Sequence, residues 1–350
     1  MNKFIEEIEE QPEALKRALL FYCSEEGKKS LKVVSDLWKS GKYDKILFTG
    51  MGSSYFISQA AAIFTSEANV PALAVNAGEL LHSQSPAWAK ETLLIAISQS
   101  GESYEVIELL KKQSCSLLTV IGITNEPDSS LAAMATHTLL CRAGKEEMTS
   151  TKSFITTYLV VYLLAELMKG NEADDRNLEE IMNEVERQLT ERDAYLSRSL
   201  TFLRGHHFVQ VIGRGATFAT AAQTALMFME ATKTPASALL GGEFRHGPLE
   251  MVDSTFICII YAHSQSGVYK QMLKLVADIL IFKGRVIWVS DVDSGIHSPD
   301  LMEIHIRCGN SNLFAIPAII PVQLMVNAWA GEKNLVPGSF THGAKVTTIE

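Results

Sequence analysis

Two short turns place hydroxyl groups where an anion could be held. In "TGMGSS", residues 49–54, Ser53 and Ser54 follow a G-x-G turn; in "ISQSGES", residues 97–103, Ser98, Gln99, Ser100 and Ser103 surround Gly101. A glycine-rich turn that feeds a helix presents backbone N–H groups and the positive end of the helix dipole, and serine adds donors without adding bulk. That combination suits one compact phosphate. It does not suit a nucleotide: the third glycine of a dinucleotide fingerprint is missing, no acid stands at a ribose position after the next strand, and there is no P-loop lysine. Either turn taken alone reads equally well as serine capping of a helix.

The elements that must position these turns occur twice. "KILFTGMGSSYFISQAAAIF" (45–64) aligns with "HFVQVIGRGATFATAAQTALMF" (207–228), and "LLIAISQSGES" (93–103) aligns with "FICIIYAHSQSGVYK" (256–270). "LLTVIGITNEPDSSLA" and "RVIWVSDVDSGIHSPDL" follow in the same order. Continuous apolar, β-branched runs alternating with helical stretches predict parallel strands covered on both faces, hence an α/β fold of two tandem doubly wound, flavodoxin-like domains related by an internal repeat. The expected divisions are a helical segment over 1–30, a first domain over 31–170 with the phosphate site, a polar helical connector over 171–200, a second domain over 201–335 and a tail over 336–350. In an open α/β sheet ligands bind beyond the carboxyl ends of the strands, where both G-x-G and SQSG fall. The second copy reads "GRGAT" for "GMGSS" and replaces the acid of "SGES" with valine, so one copy is kept as a phosphate site and the other has diverged.

Composition narrows the partner class. The 350 residues carry 31 basic and 40 acidic side chains, a formal charge of −9, with no basic block of the kind that nucleic acid or an anionic membrane requires. A small molecule is the expected partner. Five cysteines, Cys23, Cys115, Cys141, Cys258 and Cys308, are scattered without CxxC spacing and read as reduced core thiols of a cytoplasmic protein. The acidic N-terminus reads as a surface helix and not as an export signal. The apolar stretch from Leu313 contains prolines, Gln323 and Asn327 and lacks basic flanks, so it reads as a buried core helix and not as a membrane span. The nine histidines show no ligand spacing apart from the adjacent His206 and His207, read as a strand start, so neither a metal nor another cofactor is expected.

Six segments, "TGMGSSYFISQ", "ISQSGES", "TSTKSF", "GRG", "GGEFRHGPLEMVD" and "AKVTTIE", together resemble the double sugar-isomerase (SIS) domain family. The likeness is to the isomerase half of glucosamine-6-phosphate synthase and to stand-alone phosphosugar isomerase and fructosamine-6-phosphate deglycase relatives. It covers nearly the whole chain from about residue 30. The resemblance implies that Ser53, Ser54, Ser98, Gln99, Ser100 and Ser103 hold the sugar phosphate, and that Ser150 contacts the sugar. It further implies that Glu230 shuttles a proton between C1 and C2, that His246 opens the ring from a neighbouring subunit, and that Lys345 engages the open-chain carbonyl. The working unit would then be a homodimer or a higher homo-oligomer.

The residues are chemically suited to those roles. Glu230 closes the uncharged run "ATAAQTALMFM", where a carboxylate is expected to have a raised pKa, useful in a base that must return its proton. His246 sits in a glycine-rich loop where an imidazole can titrate. The tail around Lys345 carries valines and an isoleucine, which are expected to dock. For each, the plain alternatives are a helix-end glutamate, a structural histidine and a frayed tail.

Three departures from the synthase pattern bear on the reaction. Met1 is not followed by a nucleophilic cysteine, so no glutamine-derived ammonia is expected within this chain; Met227 stands where the synthase has a lysine one turn before the glutamate; and the tail approaches Lys345 through "SFTHGAK". The expected activity is therefore C1–C2 proton transfer on a 6-phosphorylated amino sugar or fructosamine in amino sugar metabolism, with release of ammonia (deaminase) or of an amino acid (deglycase). The alternative is a non-catalytic sugar-phosphate sensor that regulates a partner protein.

Overall fold

The computed structural model describes residues 2–83, 91–113, 119–171, 174–340, 342 and 344–347. Two compact units divide the chain: a first unit, Glu13–Asp174 with Phe340–Glu350, and a second unit, Met1–Pro12 with Asp175–Ser339.

The first unit is built on five parallel strands, β1 (Lys45–Gly50), β2 (Ala72–Asn76), β3 (Thr92–Ile97), β4 (Thr119–Thr124) and β5 (His137–Leu140), in the order β2-β1-β3-β4-β5. In register, Leu47 faces Leu94 across β1 and β3, and Ile95 faces Ile121 across β3 and β4. Both faces of these central strands are buried, because helices cover both sides and every side chain must be apolar or paired. The helix Lys152–Lys169 is buried almost all round, as its unbroken apolar sequence requires, and Phe64 of the helix Ser53–Glu67 meets Tyr158 edge to face at 5.5 Å.

The second unit repeats the arrangement with β6 (Val209–Gly213), β7 (Ala236–Leu240), β8 (Ile257–Ala262), β9 (Arg285–Ser290) and β10 (Leu301–His305), ordered β10-β9-β8-β6-β7. Counted from its own first strand this is the same 2-1-3-4-5 order, so the internal repeat of the sequence is a repeat of topology. The stretch from Leu313 folds into the buried helices Ala315–Ala318 and Ile320–Glu332. Among the described residues no helix is long and apolar enough to cross a membrane.

Some local expectations are corrected. The N-terminal helix Lys3–Glu9 buries Phe4, Glu7 and Ile8, so it is a packed element and not a surface one. Residues 175–203 form two helices whose acids hide an apolar stripe of Leu178, Ile181, Val185, Tyr195, Phe202 and Leu203. Cys23, expected in the core, is exposed at the end of the helix Gln11–Cys23, whereas Cys141, Cys258 and Cys308 are buried; Cys115 lies outside the described residues. A helix end has an outward side that a residue-type argument cannot see.

Candidate active site

The two hydroxyl-rich turns sit at the carboxyl ends of β1 and β3, adjacent strands at the point where the strand order reverses. The first turn needs its glycines. A Cβ on Gly50 would lie 2.8 Å from the Ile97 carbonyl oxygen, and Gly52 has φ 50° and ψ −126°. The helix Ser53–Glu67 then begins with no side-chain cap and no acid in its first turn, leaving its positive end to another group. Ser53 and Ser54 are half-buried there.

The second turn is held from within. Ser98 Oγ accepts the Gly101 N–H at 3.1 Å and lies 3.0 Å from Ser103 Oγ, while Ser100 Oγ accepts the Glu102 N–H at 3.2 Å. The Gln99 carbonyl oxygen accepts from the Asn125 N–H at 3.0 Å and from the Thr124 hydroxyl at 3.2 Å, so the backbone is pinned while the half-buried side chain remains at the turn. A hydroxyl that accepts a backbone N–H still has its own proton to donate, so capping and anion binding are compatible roles for Ser100.

Ser150 precedes the helix Lys152–Lys169, and its Oγ is 3.3 Å from Ser153 Oγ. The group that organises this corner is Glu146, which the sequence reading did not single out. Its fully buried carboxylate accepts the Thr151 N–H (2.9 Å), the Thr151 hydroxyl (3.2 Å) and the Ser153 N–H (3.1 Å) on one oxygen. The other oxygen accepts the Ser153 hydroxyl (2.5 Å) and the Lys345 ammonium (3.0 Å). Lys345 Nζ donates as well to the Glu146 carbonyl oxygen at 2.8 Å, and the Thr347 carbonyl oxygen accepts the N–H of Tyr104, which opens the helix after SQSG, at 3.0 Å. The tail thus ties the phosphate-type turn to the Ser150 corner. One signal in the sequence could have found Glu146: the helix Lys152–Lys169 has no acid in its first turn and no side-chain cap from Thr151, so an acid had to come from upstream.

Burial alone would push the Glu146 carboxyl up. The charge of Lys345, the Ser153 hydroxyl and the N–H groups of Thr151 and Ser153 together outweigh it and hold the carboxyl below the usual carboxylate value of 4.5. A depressed folded-state pKa contributes stability that is complete above 4.5 and is lost as pH falls through the folded value. Acidification below that point is therefore expected to release the tail, read as new trypsin cleavage after Lys345 in acid-pulsed samples, and Glu146→Gln should remove the pH dependence of that cleavage.

The second copy of SQSG is closed. Ser264 donates its N–H to Asp291 Oδ1 at 2.7 Å and its hydroxyl to Asp291 Oδ2. His263, almost completely buried, accepts the Gln265 N–H on Nδ1 at 3.2 Å and places Nε2 2.9 Å from the Cys308 carbonyl oxygen, an arrangement that assigns the proton to Nε2. A carboxylate of the chain fills the donor set that an external anion would need. In the other turn, Ala216 stands where the first copy has Ser53, and the Thr217 hydroxyl turns back to the Arg214 carbonyl oxygen at 2.9 Å.

The second unit carries the two remaining candidates. Glu230 is half-buried in the last turn of the helix Thr217–Thr232, whose small residues Ala219, Ala221, Ala222 and Ala225 are buried. Met227, one turn earlier, is fully buried. His246 is exposed, directly after the short helix Gly241–Arg245 and before Gly247 at φ 132°. Its neighbour Arg245 is anchored to Asp278 at 2.7 Å, which fixes the loop while leaving the imidazole outward. His206 and His207 precede β6, and the described residues contain no group of His, Cys, Asp and Glu that could hold a metal ion.

The sequence pattern of the SIS domain matches residues 41–167 and 202–330, one match per sheet. Glutamine–fructose-6-phosphate aminotransferase [isomerizing] of Pyrococcus horikoshii is 29% identical over 353 residues, covering 99% of this chain and 57% of that protein. The chain thus spans somewhat over half the length of this curated relative. The C-terminal domain of glucosamine-fructose-6-phosphate aminotransferase from Francisella tularensis superposes with a TM-score of 0.86 at 24% identity, covering 97% of this chain and 98% of that one. Glucosamine-6-phosphate deaminase from Thermotoga maritima superposes with a TM-score of 0.74 at 21% identity, covering 98% and 99%.

Proposed function

The chain belongs to the SIS domain family, and from that premise we propose that it is a phosphosugar isomerase-type enzyme that moves a proton between C1 and C2 of a 6-phosphorylated amino sugar or fructosamine. One observation carries the reading: the first unit keeps two hydroxyl-rich turns open at the switch point of its sheet, while the second copy has closed the equivalent turn with Asp291. Ser53, Ser54, Ser98, Gln99, Ser100 and Ser103 would bind the phosphate, and Ser150 the sugar. Glu230 would be the base, His246 would open the ring, and Lys345 would face the carbonyl oxygen.

The chemistry balances for either amine. In a 2-amino aldose, Glu230 takes the C2 proton and returns it to C1, giving a C2 imine that one water hydrolyses to a ketose and ammonia. In a 1-amino ketose the proton moves from C1 to C2, and hydrolysis of the C1 imine releases an amino acid and an aldose. Met227 in place of a lysine leaves an uncharged surface beside the base, which favours a substrate that brings its own nitrogen. The exposed position of His246 fits a residue that works in a second subunit, so the active species is proposed to be a homodimer or larger.

The test is mass spectrometry of the protein incubated in D₂O with fructose 6-phosphate, glucosamine 6-phosphate with and without ammonium, and 6-phosphorylated fructose–amino acid conjugates. Deuterium in the sugar product establishes the proton shuttle, and the released amine separates deaminase from deglycase. Tight binding with no exchange from any of them would overturn the enzyme reading in favour of a sensor.

A further inference from the structure

We propose that Glu146 is a positioning residue that holds Lys345 in the site as a fixed ammonium ion, so that Lys345 acts on the substrate as a hydrogen-bond donor and cation and does not form an imine. The inference rests on the functional reading above for the identity of the substrate and on geometry for the rest.

Lys345 Nζ has two oxygen partners on one residue, the Glu146 carboxylate at 3.0 Å and the Glu146 carbonyl at 2.8 Å, and its side chain is 17% exposed. An ammonium has three donors. Two are directed at Glu146, and the third remains for a ligand oxygen. A buried carboxylate is tolerated only where its partners neutralise it and satisfy its lone pairs, and a neutral amine at this position would leave the Glu146 charge uncompensated. The pair therefore favours the charged lysine. Attack on a carbonyl carbon needs the free amine, whereas an ammonium stabilises the negative oxygen that develops on enolisation and gives up no electron pair.

Glu146 is also placed to set where that charge sits. Its Oε1 is fixed by the backbone N–H groups of Thr151 and Ser153 at the start of the 18-residue helix Lys152–Lys169, and Ser153 in turn lies 3.3 Å from the sugar-contact candidate Ser150. The ammonium and Ser150 are thereby held on one rigid element, the arrangement that oxyanion stabilisation requires.

Four variants test this: Glu146→Gln, Glu146→Asp, Lys345→Met and the Glu146→Gln/Lys345→Met double variant. Glu146→Gln is expected to lower kcat by about 10²-fold, the size of a lost oxyanion contact, with KM changed less than about threefold because the phosphate turns are untouched. Glu146→Asp should recover part of kcat, and the double variant should be no slower than Lys345→Met alone, since Glu146 acts through Lys345. Borohydride added during turnover should leave Lys345 unmodified in the wild-type protein. A sugar adduct on Lys345 would overturn the proposal, as would a double variant much slower than Lys345→Met. Trypsin cleavage after Lys345 supplies a readout without turnover: it should be slow in the wild type and fast in Glu146→Gln, and equal rates in the two would overturn the proposal even if no sugar phosphate is turned over. A wild-type protein that protects Lys345 yet turns over no sugar in the panel would instead count against the functional reading alone.

Discussion

Glu230→Gln is expected to lower deuterium incorporation at C1 and C2 by about 10²- to 10⁴-fold, the range for loss of a general base, while sugar-phosphate binding stays within a few-fold of wild type. Gln has the shape of Glu without the capacity to take a proton. The helix that carries the residue is locked by buried alanines on one face and by Met227, Phe228 and Ala231 near its end, so the exchange should not disturb the fold. Melting temperature and phosphate binding are the controls, and both should match wild type. Exchange at the wild-type rate would remove Glu230 from the mechanism and leave the proton shuttle without a base on the helix Thr217–Thr232.

Ser100→Asp is expected to weaken binding of fructose 6-phosphate and of inorganic phosphate by more than about 100-fold, and Ser100→Ala by about tenfold, from the loss of one hydrogen bond to a charged group. Asp at this position can still accept the Glu102 N–H that Ser100 Oγ accepts at 3.2 Å, so the turn should persist. What changes is the sign of the field. The second unit displays the same substitution in natural form: there the carboxylate of Asp291 takes the Ser264 N–H and hydroxyl. Isothermal titration on both variants decides the matter. Unchanged affinity in Ser100→Asp would show that the ligand phosphate does not reach the SQSG turn.

Much of the architecture was legible because parallel strands buried on both faces leave continuous apolar runs, and β3 and β8 are such runs. The repeat was legible because topology was duplicated together with the sequence motifs. Divergence of the second SQSG could be seen in its letters, but its physical cause could not. Asp291 follows β9, and only parallel pairing of β8 with β9, which sets Ala262 beside Ser290, brings it to Ser264. Glu146 was illegible for a similar reason. Nothing in "KEEMTSTKS" announces an ion pair with a residue 199 positions away, and the pair exists only once the tail has docked. The helix Lys3–Glu9 shows a third kind of limit, since Phe4 and Ile8 share a face but too few residues flank them for a period to stand out from a charged segment.

The closed turn of the second unit also has a thermodynamic meaning. A carboxylate tethered to the same chain is present at an effective concentration that dissolved phosphate cannot match. That half of the protein therefore folds with its anion already supplied, and its stability at this turn is independent of metabolite level. The first unit has no such built-in ligand, so any stabilisation by phosphate must arise there. In an amide hydrogen-exchange experiment the protein should behave as two halves of one topology, of which one records the phosphate concentration around residues 98–103 and the other, around residues 264–267, is insensitive to it.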